Sequence, residues 1–126
     1  MVGIEFSADS RYKINRKKIK LAVERVLEEQ RISENVQVSI SVVGERKIRD
    51  LEKQYFGEDK VTDVLSFAQN EGKMLDTSES VWHLGDVVVC YPQAKRQAIK
   101  LNRLLDDEVE FLVCHGVLHL LGIHHE

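Results

Sequence analysis

The sequence predicts a small α+β domain: a mixed β-sheet of about four strands with helices packed on it, in the order βαβαββαα. Three observations carry this prediction. VQVSISVV at 36–43 alternates apolar and polar residues, as a half-buried strand does. VVV at 87–89 is an unbroken apolar run, the mark of a strand buried on both faces. Between such runs lie segments whose apolar residues recur every three or four positions, the period of a helix. The length, 126 residues, suits one hydrophobic core. With no repeat, no low-complexity stretch and one proline, 1–126 reads as a single domain.

Taken in order, VGIEF at 2–6 is a short strand with Val2, Ile4 and Phe6 alternating. A helix over about 16–31 follows, capped by Asn15, with Ile19, Ala22, Val23, Val26 and Leu27 as its buried stripe. The strand at 36–43 ends at Gly44. A helix over 45–56 then presents Ile48, Leu51 and Tyr55, and Gly57 closes it. DVLSFA at 63–68 is a third strand, and a polar loop over about 69–80 separates it from a fourth, LGDVVVCY at 84–91. Pro92 suits the first turn of a helix running to about residue 104. Asp106, Asp107 and Glu108 complement the positive end of a last helix over about 107–121, which Gly122 stops.

Composition narrows the function classes. Apolar residues make up 43% and charged residues 31%, as in soluble globular proteins. No apolar run reaches the ~20 residues that span a bilayer, and MVGIEFSADS lacks the layout of a signal peptide. A cytoplasmic chain with no membrane partner is expected. Cys90 and Cys114 read as small buried apolar residues, in keeping with a reducing compartment. The net charge of −3 does not favour a polyanionic partner on average. Its distribution does so locally, because Arg11, Lys13, Arg16, Lys17, Lys18 and Lys20 follow one another with no acid among them.

The chemistry gathers at the end, HGVLHLLGIHHE, which holds four of the five histidines. Residues four apart on a helix share a face, so His115 and His119 can direct both rings at one metal ion. Gly122 permits a sharp reversal that brings His124 or His125 back toward them. Three neutral imidazoles suit a zinc ion and leave a fourth position for water, the open arrangement of a catalytic site. Zinc proteases of the HExxH type carry a glutamate directly after the first histidine as general base. Gly116 stands there instead, which turns the reading away from peptides.

HGVLHLLGIHH resembles the HGxLHLxGYDH signature of the YbeY-type metal-dependent endoribonucleases. TDVLSF at 62–67, preceded by GEDK, and LGDVVV at 84–89 resemble that family's two other blocks, in the same order. The resemblance implies that His115, His119 and His125 hold the metal, one zinc ion or another divalent transition metal such as nickel per chain. It implies hydrolysis of single-stranded RNA, with ribosomal RNA and the small ribosomal subunit as partners, in 16S ribosomal RNA 3′-end processing and ribosome quality control. Two alternatives belong to other classes: a ribosome-associated metal-binding assembly factor with little turnover, and a metallohydrolase of another substrate.

Three departures from the family pattern stand out. Phe56 occupies the place of an arginine, for which Arg49 or Lys60 are the nearby substitutes. His124 occupies the place of an aspartate, either as a participant in catalysis or as an exposed ring. The chain stops at Glu126, where relatives commonly continue. For RNA binding, the expected residues are Arg16, Lys17, Lys18 and Lys20. They crowd a helix N-terminus whose dipole they oppose, a cost that a polyanion would offset. A second basic set is Lys95, Arg96, Lys100 and Arg103. Ser66 is expected to line the cleft with a possible catalytic part, Asp63 and Asp86 to make structural hydrogen bonds, Trp82 to anchor the core, and His83 to lie on the surface just before a strand.

Overall fold

The computed structural model describes residues 2–69 and 81–123. The expected elements follow in the expected order: β1 (Val2–Ala8), α1 (Arg16–Glu29), β2 (Asn35–Val43), α2 (Glu45–Phe56), β3 (Val64–Ala68), β4 (Val81–Cys90), α3 (Tyr91–Lys100) and α4 (Leu105–Leu120). The sheet is mixed, in the order β1-β2-β4-β3. β1 runs parallel to β2 and β2 to β4, while β3 lies antiparallel to β4 at the edge.

Strand alternation divides the side chains between two layers. Val87 and Val89 of β4 join Val36, Val38 and Ile40 of β2 in a core closed by Ile19, Val23 and Leu27 of α1, Ala94 of α3, and Val109, Val113 and Val117 of α4. The intervening Val88 and Cys90 point to the other face, where Ile48 of α2 and Leu65 of β3 meet them. The unbroken valine run is thus buried on both faces, as its composition required.

Element ends differ from expectation where a residue other than glycine takes the left-handed conformation. Arg31 does so at φ 59°, and Ile32 N–H donates to the Leu27 carbonyl at 2.9 Å, so α1 stops at Glu29. Asn102 does so at φ 55°, and Arg103 N–H reaches the Ala98 carbonyl at 2.8 Å, so α3 stops at Lys100. Both are the reversal that glycine usually supplies. α4 consequently starts at Leu105, ahead of Asp107.

β4 begins at Val81, so His83 lies within a strand, paired with Gln37, and not before one. Trp82 packs against the core as expected. The register shifts between Gln37 and Val38, whose partners are His83 and Gly85. Gly85 is required there: its φ is +134°, and a Cβ would stand 2.1 Å from the Phe67 carbonyl oxygen. The polar loop expected over 69–80 lies, apart from Gln69, outside the described residues.

Candidate metal centre and cleft

α4 turns Val109, Leu112, Val113, Gly116, Val117 and Leu120 into the core. At 3.6 residues per turn, Phe111, His115 and His119 then fall on one flank, between core and solvent. The two histidine rings come together as the spacing predicts, with centroids 4.4 Å apart and planes tilted by 52°. The helix ends in a double reversal: Gly122 N–H donates to the His119 carbonyl and Ile123 N–H to that of Leu118, both at 2.9 Å. Gly122 has φ +84°, so the turn expected of it is formed. His124, His125 and Glu126 lie outside the described residues.

The opposite wall is β3. Leu65 and Phe67 face α2, which leaves Val64 and Ser66 to face α4. Between the walls is a cleft of about 420 Å³ lined by Phe56, Asp63, Ser66, Phe111, His115 and His119, among others. Beside it, Gly116 lies close against the sheet. A Cβ there would stand 2.6 Å from Val87 Cγ1 and 3.4 Å from Ser66 Oγ. The position where a zinc protease carries its glutamate is therefore filled by the sheet, and the absence of that base has a packing cause.

Sequence reasoning missed two lining residues. Asp63 was expected to be structural, and its backbone does serve so, its carbonyl accepting from Cys90 N–H at 2.8 Å. Asp63 also lines the cleft. Phe111 stands one turn before His115, with ring centroids 6.1 Å apart; the i−4 spacing was the available signal. Asp86 belongs to the other side of the sheet, exposed beside Leu51 and Tyr55 of α2.

Phe56 lines the cleft, at the position where the resemblance implies an arginine. Neither proposed substitute joins it. Arg49 pairs with Asp59 at 3.4 Å and lines a groove with Arg46 and Asp50, while Lys60 reaches Glu58 at 3.5 Å.

The basic run is only partly open. Lys18 Nζ lies 3.0 Å from both Asp107 and Glu110 of α4, and these two carboxylates hold its pKa above the ordinary lysine value. Asn15 caps α1 as expected, its Oδ1 accepting from Lys18 N–H at 3.0 Å. Arg16 lies over the Phe6 ring, while Lys17 and Lys20 are exposed. None of the four lines the histidine cleft. In the second set, Arg96 pairs with Glu45 and Arg103 with Glu108. Both cysteines are free thiols whose pKa burial raises, Cys114 to about 11, as suits packing residues.

Imidazole nitrogens are the donors that zinc-type ions take, and two tilted rings one helical turn apart can address a single point. His115 and His119 therefore fit two ligands of such an ion. Among the described residues no group of three or more His, Cys, Asp or Glu stands together. No helix among them is long and apolar enough to cross a membrane.

Comparison with known proteins gives consistent results. Residues 5–126 match the family model described as Endoribonuclease YbeY. The chain is 41% identical over 113 residues to the Endoribonuclease YbeY of Sulfurihydrogenibium sp. (strain YO3AOP1), covering 90% of this chain and 71% of that protein. It is 43% identical over 105 residues to the Endoribonuclease YbeY of Pelotomaculum thermopropionicum, covering 83% and 69%. The solution structure of TM1509 from Thermotoga maritima superposes with a TM-score of 0.61 at 28% identity, covering all of this chain and 75% of that one.

Proposed function

Because the chain belongs to the YbeY endoribonuclease family, whose model spans residues 5–126, we propose that the cleft between α4 and β3 is where it cuts RNA. Endoribonucleases are hydrolases of phosphodiester bonds. One divalent metal ion per chain, zinc or a relative such as nickel, would be held by His115, His119 and His125. The observation that carries this reading is the pair of histidine rings, 4.4 Å apart at the edge of the cleft. When bound, the ion supplies Lewis-acid charge for developing negative charge on phosphorus-bound oxygen.

The chain's own residues do the rest. The core side of α4 holds the helix against the sheet, so the two imidazoles keep their mutual tilt. Ser66 Oγ and the Asp63 carboxylate offer a hydroxyl and a proton acceptor on the facing wall. Arg16, Lys17, Lys18 and Lys20 track the RNA backbone away from the cleft, and His124 takes part in catalysis. The substrate is single-stranded ribosomal RNA at the 16S 3′ end, met on the small ribosomal subunit in the cytoplasm.

One observation favours a second reading, an assembly factor with little turnover: the cleft holds Phe56 where the family has an arginine, and neither Arg49 nor Lys60 reaches it. The deciding experiment incubates metal-loaded protein with single-stranded and duplex RNA beside a His115→Ala/His119→Ala control. Cutting of the single strand well above the control supports the nuclease. Cutting equal to the control, with binding to small subunits retained, supports the second reading.

A further inference from the structure

Phe56 and Phe111 are large apolar residues, 51% and 52% exposed, that line the same cleft as the two histidines. They come from different walls, one at the end of α2 beside β3 and the other on α4. We propose that the two rings are stacking platforms for unpaired bases of the substrate, and that stacking positions the RNA where the family relies on an arginine. The proposal rests on the reading of the substrate as RNA.

Each ring has neighbours that fix its plane, while about half of each residue stays exposed. Phe56 lies against Phe67 of β3, with centroids 6.0 Å apart and planes 25° from parallel. Phe111 has the Arg103 guanidinium over its ring at 5.5 Å, and lies near parallel to His115 at 22°. Arg103 is itself held by Glu108 at 3.0 Å. Backing of this kind sets the plane of a ring before a base arrives, which lowers the ordering cost of stacking. The charge of the cleft points the same way. Its described lining residues include no lysine or arginine, and the guanidinium nearest them, Arg103 over the Phe111 ring, is already paired with Glu108. Bases have an apolar π-face whatever their sequence, and that face is available only when they are unpaired.

The test uses the full metal-loaded chain and a fluorescein-labelled ten-nucleotide single-stranded RNA, beside the same strand with its bases removed at two adjacent positions. Phe56→Leu and Phe111→Leu keep apolar volume but lose the π-face. Each is expected to raise Kd and KM about tenfold, with kcat changed much less. Phe56→Trp and Phe111→Trp should restore affinity. The abasic strand should bind the wild type about as weakly as the intact strand binds the leucine variants. Leucine variants with wild-type Kd and KM, or an abasic strand bound as tightly as the intact one, overturn the proposal. The two readings fail separately. Wild-type cutting with unaffected leucine variants removes the platforms and leaves the nuclease; stacking-dependent binding without cutting removes the nuclease and leaves the platforms. No binding of RNA by the wild type removes both.

Discussion

Gly116 lies directly against Val87: a Cβ on the glycine would stand 2.6 Å from Val87 Cγ1. This contact lets α4 approach β4 closely enough for His115 and His119 to reach the wall formed by β3.

Gly116→Glu would create the HExxH pattern of a zinc protease, yet it is expected to destabilise the fold rather than add activity. Overpacking of a close contact costs about 1–3 kcal/mol, and a carboxylate forced against valine adds a desolvation penalty. Urea unfolding should show a loss of more than about 3 kcal/mol. Gly116→Ala should lose less, because helix propensity returns up to about 1 kcal/mol. Wild-type stability in the glutamate variant would refute the packing role.

Glu108 is 1% exposed, accepts from Gln97 Nε2 and Arg103 Nη1 at 3.0 Å each, and sits in the first turn of α4. Removing Arg103 would leave a buried carboxylate with one hydrogen bond. Arg103→Ala should therefore destabilise by roughly 2 kcal/mol, reduced below the full buried-pair value because the arginine is half exposed. Adding Glu108→Gln should recover part of that loss. An additive double mutant in denaturant titration would show that the pair is not coupled.

Lys18 already has Asp107 and Glu110 as counter-charges, whereas Lys17 and Lys20 are exposed. If this face holds RNA, Lys17→Ala and Lys20→Ala should each reduce the salt dependence of binding by about 0.7 in the log–log slope. Lys18→Ala should change it less. Affinity measured across a series of salt concentrations checks this, and an equal or larger effect at Lys18 would contradict it.

Burial pushes the Cys114 thiol up to about 11 and raises that of Cys90 as well. At pH 8 the reactive thiolate of Cys114 is then scarce, on the order of one in a thousand. Alkylation by iodoacetamide should be slow in the folded protein, faster toward pH 10, and rapid in denaturant. Mass spectrometry of prompt labelling at pH 8 without denaturant would be the contrary result.

Most elements were legible because their signals are local. Alternation in 36–43 needs only neighbours two apart, and the histidine pair needs only a spacing of four. Gly57 and Gly122 mark helix ends because left-handed backbone favours a residue without Cβ. The misplaced ends fall where that signal was absent: Arg31 and Asn102 adopt the left-handed conformation without being glycine. His83 entered a strand because β2 offers it a partner in Gln37, a fact of pairing rather than of propensity.

The sequence by itself determined the order of elements, the two faces of the central strand, the helical histidine pair and the glycine that reverses the chain after it. These follow from backbone geometry and from apolar burial at fixed periods. Tertiary structure alone decided which residues meet across the chain. It placed Asp107 and Glu110 beside Lys18, and brought Phe56 and Asp63 to the same cleft as Phe111. Such meetings depend on how helices and sheet pack. The charge of a basic run, or the role of a phenylalanine, is therefore set by partners tens of residues away.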